Sequence, residues 1–202
     1  MPVSDARSLR PVRAAVRADS WRILGIDPGT LRMGYGVVEC HGRAGAQVAY
    51  VECGVITASA RNSRPARLRE IGCGLRELLA ELRPDAVAME EAFFGKNVQA
   101  TLALGEARGV ALFVAAEQGL IVTGYPPATV KQAVVGHGRA TKEQIGYLVR
   151  ALLSLRRTPA ADAADALAIA ICHARSGARP AARVRAASGA PVEAVARGVL
   201  AR

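Results

Sequence analysis

The sequence predicts an α/β domain with a mixed five-stranded sheet and helices on both faces. Three strand-like segments, near 22–28, 33–40 and 48–57, follow one another with short links, as in an antiparallel meander. Beyond them, short apolar runs alternate with segments of helical periodicity. Strand–helix–strand units of that kind form right-handed crossovers, so we expect two further strands that are parallel to an earlier one.

The first strand is an apolar run from Ile23 that ends at Asp27 and is closed by a Pro28–Gly29 turn. A carboxylate at the edge of apolar packing is unfavourable unless a cation or a hydrogen-bond donor accompanies it. Asp27 therefore directs attention to other acids in apolar surroundings, although Asp-Pro-Gly is also a common turn sequence.

The remaining elements follow from periodicity and from helix-breaking residues. Leucine and isoleucine recur at helical spacing from Leu68 to Leu82, and Pro84 ends that helix. A helix rich in alanine is predicted over 98–117, with close packing expected at Gly105 and Gly109. The other predicted elements are strands at 86–90 and 120–124, a helical turn near Lys131, a glycine-rich loop at 136–138, and helices at 142–155 and 160–174.

Composition favours a globular protein that handles a polyanion. The 202 residues are 51% hydrophobic, and the formal net charge is +10. Residues 1–20 carry +2 and residues 176–202 carry +4, so we expect a basic N-terminal extension, a folded domain over 21–175 and a basic Ala/Arg-rich tail. The four cysteines lack metal-finger spacing, which indicates reduced thiols in a cytoplasmic protein. We expect no signal sequence and no apolar run of the roughly 20 residues that span a bilayer.

Three further carboxylates lie in apolar surroundings. Asp162 and Asp165 are three positions apart on an otherwise apolar helix, so both lie on one face. An N-terminal capping pair is the alternative interpretation. Glu90 ends the strand over 86–90 and could instead be a solvent-exposed strand end.

Four such acids in one pocket would need counter-charge. Two like charges about 4 Å apart repel by ~4 kcal/mol at an effective dielectric constant of 20. Two Mg²⁺ ions match four carboxylates, and Mn²⁺ accepts the same hard oxygen ligands. A pair of metal ions in basic surroundings is typical of phosphodiester hydrolysis, so the pattern indicates a metal-dependent nuclease.

Four ordered motifs resemble the RuvC family of Holliday junction resolvases, which have an RNase H-like fold. The resemblance covers roughly 21–175, and the motifs are ILGIDPG with GYGV from Ile23, MEEAFFGKN from Met89, VKQAVVG from Val130 and ADAADALA from Ala161. It implies that the metal-binding catalytic acids are Asp27, Glu90, Asp162 and Asp165. It also implies a catalytic Lys131 and contacts to DNA from Phe93, Phe94, Lys96, Lys131 and Lys142.

The family resemblance also implies a homodimer with two-fold symmetry that nicks two opposed strands of a four-way junction and leaves 5′-phosphate ends. The implied partners are junction DNA and the RuvAB branch-migration complex, with no membrane association. His137 departs from the pattern, and we expect it to be a spectator. Glu91 should point away from Glu90, because neighbours on a strand face opposite sides.

Three alternatives stay open at this point. The first hairpin also resembles the phosphate-binding Gly-Ile-Asp-x-Gly-Thr of actin-like and sugar-kinase ATPases, but that class needs a second domain. Another RNase H-like nuclease would cut RNA–DNA hybrids or other branched DNA. A non-catalytic junction-binding protein would lose nothing when Asp27 is replaced by Asn.

Overall fold

The computed structural model describes residues 20–42, 47–91, 97–138 and 140–178. In chain order the elements are β1 Ser20–Asp27, β2 Arg32–His41, β3 Gln47–Thr57, α1 Arg64–Leu82, β4 Ala86–Glu90, α2 Val98–Glu117, β5 Val122–Tyr125, α3 Pro127–Val135, α4 Lys142–Leu152 and α5 Ala161–Arg175. The predicted terminal extensions fall almost wholly outside these ranges.

The five strands form one mixed sheet in the order β3-β2-β1-β4-β5. The pairs β1–β2 and β2–β3 are antiparallel, whereas β4 pairs in parallel with both β1 and β5. The predicted meander and the two parallel strands added by crossover are therefore confirmed. Ile26 of β1 lies opposite Met89 of β4 in the last pair between these two strands, so Asp27 and Glu90 follow it at the same end of the sheet.

Strand alternation divides the interior into two cores. Ile23 and Ala88 pack with α3, α4 and α5 on one face, whereas Leu24 and Met89 pack with α1 and α2 on the other. Both faces are thereby covered by helices, as predicted.

The boundaries of β5 and α4 differ from the sequence-based expectation. β5 runs over Val122–Tyr125 instead of 120–124, because the backbone N–H of Leu120 donates to Ala115 of α2 and its side chain is buried in the α1–α2 core. α4 ends at Leu152 instead of 155. Ser154, two residues after the helix end, has a left-handed backbone conformation with φ 51°. Leu153 and Leu155 remain buried, so apolar spacing continues after the helix has ended. Near Lys131 the structure has a nine-residue helix, more than the predicted single turn.

Helix α2 differs from the expectation at its two glycines. Among the described residues, no atom lies within 4 Å of a Cβ built at Gly105 or Gly109, so the close packing expected there is not found in this part of the chain. By length and composition alone, α2 is also long and apolar enough to cross a membrane. Within the helix, however, Glu106 pairs with Arg64 of α1 at 3.4 Å and Arg108 donates to the carbonyl of Glu90, so polar contacts join α2 to the domain.

Candidate active site

Asp27 and Glu90 point to the same face of the sheet. Alternation along β1 places Asp27 on the side of Ile23, and alternation along β4 places Glu90 on the side of Ala88. That side is covered by α5, the helix that carries Asp162 and Asp165. All four predicted acids therefore belong to one face and one edge of the sheet.

Two glycines let α5 approach the sheet closely. A Cβ at Gly25 would lie 2.0 Å from the backbone oxygen of Ala166, and one at Gly34 would lie 2.1 Å from that of Asp162. Any side chain at these positions would displace the helix backbone. Gly34 is also the cross-strand partner of Asp27, so its missing side chain allows Asp162 to lie beside Asp27.

Asp27 lies in the most negative part of the site. Burial and the charges of Asp165, Glu90 and Asp162, in that order, raise its pKa from 3.8 to about 7, while Lys142 opposes the shift. Burial is the largest cause of this shift, and the contributions of three other carboxylates place Asp27 near acids that lie as far as Asp165 in the sequence. The electrostatic environment of Asp27 therefore favours an added positive charge.

Lys131 and Lys142 supply positive charge on the helical side of the site. Burial and the charge of Asp165 raise the pKa of Glu90, and the charges of Lys131 and Lys142 lower it. Lys142, the first residue of α4, lies with its Nζ 3.3 Å from Oδ2 of Asp165, and its side chain is 76% exposed. Two of the three lysines predicted from sequence, Lys131 and Lys142, thus act electrostatically on the acid cluster.

One cation at the site, Arg32, was not predicted from the sequence. Its Nε donates to Oδ2 of Asp162 at 2.7 Å, and it is the first residue of β2, directly after the turn that follows Asp27. Asp162 also lies in the first turn of α5, where the helix dipole favours a carboxylate. Its position is therefore accounted for by both the helix N-terminus and the contact with Arg32.

The donor set fits a hard divalent cation, although the acids are not gathered into a ligand sphere. Within the described ranges, no three His, Cys, Asp or Glu side chains are grouped closely enough to hold a metal ion as they stand. Arg32 and Lys142 form ion pairs with one oxygen of Asp162 and one oxygen of Asp165, respectively. Asp27 and the three carboxylates that act on it are nonetheless the oxygen donors that Mg²⁺ and Mn²⁺ prefer.

The remaining predicted residues have different outcomes. Phe93, Phe94 and Lys96 lie outside the described residues. Glu91 and His137 are exposed, as expected for residues without a role in the acid cluster.

Comparison with known proteins identifies the family. The family model of crossover junction endodeoxyribonuclease RuvC matches residues 23–173, which include all four acids as well as Lys131 and Lys142. The chain belongs to the RuvC family. It has the RNase H-like fold of that family, and it is an endonuclease that resolves Holliday junctions.

RuvC relatives resemble the chain over most of its described length. The RuvC proteins of Chloroflexus aggregans and Halorhodospira halophila are 51% and 48% identical to it, over 76% and 79% of this chain and 92% and 93% of theirs. Thermus thermophilus RuvC in complex with a Holliday junction substrate aligns with TM-score 0.71 and 37% identity, covering 78% of this chain and 96% of that one. The yeast mitochondrial Holliday junction resolvase Ydc2, 15% identical with TM-score 0.58 over 81% of each chain, shares the fold.

Proposed function

We propose that this RuvC-family endonuclease cleaves junction strands by hydrolysis that depends on two Mg²⁺ ions, which Mn²⁺ can replace. Asp27, Glu90, Asp162 and Asp165 would hold the ions, and the products would carry 5′-phosphates. The observation that carries this proposal is the convergence of charge on Asp27, whose pKa is raised to about 7 by burial and by the other three acids. A divalent cation relieves that repulsion directly.

Each residue of the site has a distinct task in this proposal. The bound ions would supply Lewis-acid assistance to phosphodiester hydrolysis. Asp27 and Glu90, on rigid strand ends, would fix the ligand positions, and α5 would bring the other two carboxylates to them. Lys131, which faces Glu90, would neutralise charge on the phosphate as it is attacked, and the exposed Lys142 would hold the strand backbone.

We also propose a two-fold homodimer that forms through α2. Large apolar side chains of this helix are exposed, including Leu102 and Phe113 at 59% each. With Val98, Gly105 and Gly109 they recur every three or four residues and form one stripe along the helix. The open glycines would let the α2 helix of a second copy approach closely. A groove of about 510 Å³ between α1 and α2, which Phe113 itself lines, would receive an apolar side chain from that second copy. Two sites related by symmetry could nick opposed strands.

We also propose the other roles that the family resemblance implies, namely the DNA contacts, the partner complex and the basic terminal segments. Phe93, Phe94 and Lys96 would contact the open junction, and the RuvAB branch-migration complex would be the partner in the cytoplasm. The basic segments 1–20 and 176–202 flank the proposed nuclease domain, 21–175, and their charges of +2 and +4 favour DNA as the common ligand.

Cleavage of synthetic substrates tests the mechanism. A four-way junction, a linear duplex and an RNA–DNA hybrid are incubated with wild type, Asp27→Asn and Glu90→Gln over a Mg²⁺ titration. We expect metal-dependent nicking of the junction by wild type only, with junction binding retained in both variants. Loss of binding together with cleavage would make the acids structural, and preference for the hybrid would favour a different RNase H-like activity. Glu77→Gln, an exposed acid on α1, is the matched control.

A further inference from the structure

We propose that Arg32 is an internal counter-cation of Asp162 that competes with divalent metal for this carboxylate. Arg32 would thereby act as a positioning residue that lowers the metal affinity of the site. The inference rests on the proposed metal-dependent function, and it assigns a task to a residue outside the four motifs.

The geometry of the pair supports direct competition. Nε of Arg32 lies 2.7 Å from Oδ2 of Asp162, a shorter distance than in the Arg64–Glu106, Arg76–Glu117 and Lys142–Asp165 salt bridges. Arg32 begins β2 only two residues before Gly34, the position at which α5 touches the strand. The guanidinium is therefore attached to the same rigid strand that places Asp162 beside Asp27.

Electrostatics gives the direction of the effect. An arginine side chain stays protonated throughout the useful pH range, so the carboxylate has a permanent cationic partner. A divalent ion at Asp162 must displace that partner or bind next to it against charge repulsion. The pair is accessible to water, with 57% of the Arg32 side chain and 31% of the Asp162 side chain exposed, so it can exchange readily.

A matched control exists on the opposite side of the sheet. Arg76 of α1 pairs with Glu117 of α2 through the same Nε atom at 2.8 Å, with side-chain exposures of 44% and 37%. Arg76→Gln removes the same charge and the same kind of pair, but far from the acid cluster. Arg32→Lys keeps the charge at the site itself.

Isothermal titration calorimetry with Mn²⁺, without DNA and at pH 8, tests the inference on the full chain. We expect Arg32→Gln to lower the Mn²⁺ dissociation constant about three- to tenfold, as removal of a nearby charge predicts, and we expect the gain to shrink with added salt. Arg32→Lys and Arg76→Gln should bind as wild type does. Thermal unfolding in EDTA checks that each variant is folded, which the exposure of Arg32 favours.

The outcomes separate this inference from the mechanism on which it rests. If wild type binds Mn²⁺ and Arg32→Gln binds it with the same or a weaker affinity, the role of Arg32 is overturned. The metal mechanism would still stand. Equal affinities of the Lys and Gln variants would also overturn it, because charge would not be the determinant. Absence of Mn²⁺ binding by wild type would contradict the metal mechanism and this inference together.

Discussion

The backbone oxygen of Asp162 lies 2.1 Å from the point where a Cβ on Gly34 would stand. This contact brings α5 to the sheet beside Asp27, the cross-strand partner of Gly34. The spacing between the acids thus depends on a position that has no side chain. A strand glycine at such a position marks close backbone approach, not weak strand propensity.

Gly34→Ala should therefore lower both stability and cleavage. The methyl group has to push the α5 backbone away, and overpacking of this kind costs about 1–3 kcal/mol. Urea unfolding measures the stability, and junction nicking should fall by more than the loss of folded protein explains.

Gly146→Ala is the control for that substitution. Its Cβ would meet only the methyl group of Thr158 at 3.2 Å, a side-chain contact that can adjust. We expect a stability change within about 1 kcal/mol and normal nicking. If Gly34→Ala behaved like this control, α5 would not be held in place by the glycine contact.

The sheet and the acid cluster could be predicted because their signals are local. The Pro28–Gly29 turn ends β1 after Asp27, Pro84 separates α1 from β4, and the three-residue spacing places Asp162 and Asp165 on one helix face. Each of these features is contained in a few consecutive residues. A mixed sheet then has few ways to connect them.

The partners of the acids could not be predicted, because they come from distant parts of the chain. Arg32 and Asp162 are 130 positions apart, and no local pattern joins an exposed strand residue to a helix start. Gly25 and Gly34 did carry a signal, since an isolated strand glycine favours close backbone approach. Gly105 and Gly109 gave a similar signal, yet no atom of the described ranges lies within 4 Å of a Cβ built at either position.

Asp27→Asn should stabilise the metal-free protein above pH 7. The folded state raises the pKa of Asp27 from 3.8 to about 7, so ionisation of this acid opposes folding. The stability that wild type gains from protonated Asp27 is therefore lost progressively as pH rises from about 4 to 7. The Asp27→Asn variant does not show this loss. Three pKa units correspond to at most about 4 kcal/mol.

Denaturant unfolding in EDTA at pH 4, 6 and 8 measures this difference. We expect the advantage of Asp27→Asn to be greatest at pH 8 and to vanish near pH 4. Glu77→Gln should differ from wild type by less than about 0.5 kcal/mol at each pH. An advantage that grew as pH fell would contradict the raised pKa of Asp27.

Lys131→Gln should slow nicking more than it weakens binding. Lys131 lies on α3, and its charge acts on Glu90, a proposed metal ligand. Loss of a positioned cation beside the reacting phosphate lowers rates by about a hundredfold in comparable sites. A contact that serves binding alone would change the dissociation constant and leave single-turnover nicking at saturation intact.

Single-turnover nicking and junction binding of Lys131→Gln are measured together. The control is Arg83→Gln, which removes one exposed positive charge at the C-terminal end of α1, outside the proposed dimer groove. We expect its nicking rate at saturation to equal that of wild type. A larger change in binding than in rate for Lys131→Gln would limit this lysine to holding the DNA backbone.

Phe113→Asp should convert the proposed dimer into monomers without unfolding the domain. The Phe113 side chain is 59% exposed, so a charge at this position is solvated in a monomer. In a contact between two α2 helices, two such charges would be buried and close together, which is strongly unfavourable. Sedimentation equilibrium of wild type and the variant measures the mass directly.

Tyr147→Asp, at 62% exposure on α4, is the control for loss of an exposed aromatic residue, and it should leave the mass unchanged. A wild type that sediments as a monomer, or a Phe113→Asp dimer, would require another surface to join the two active sites.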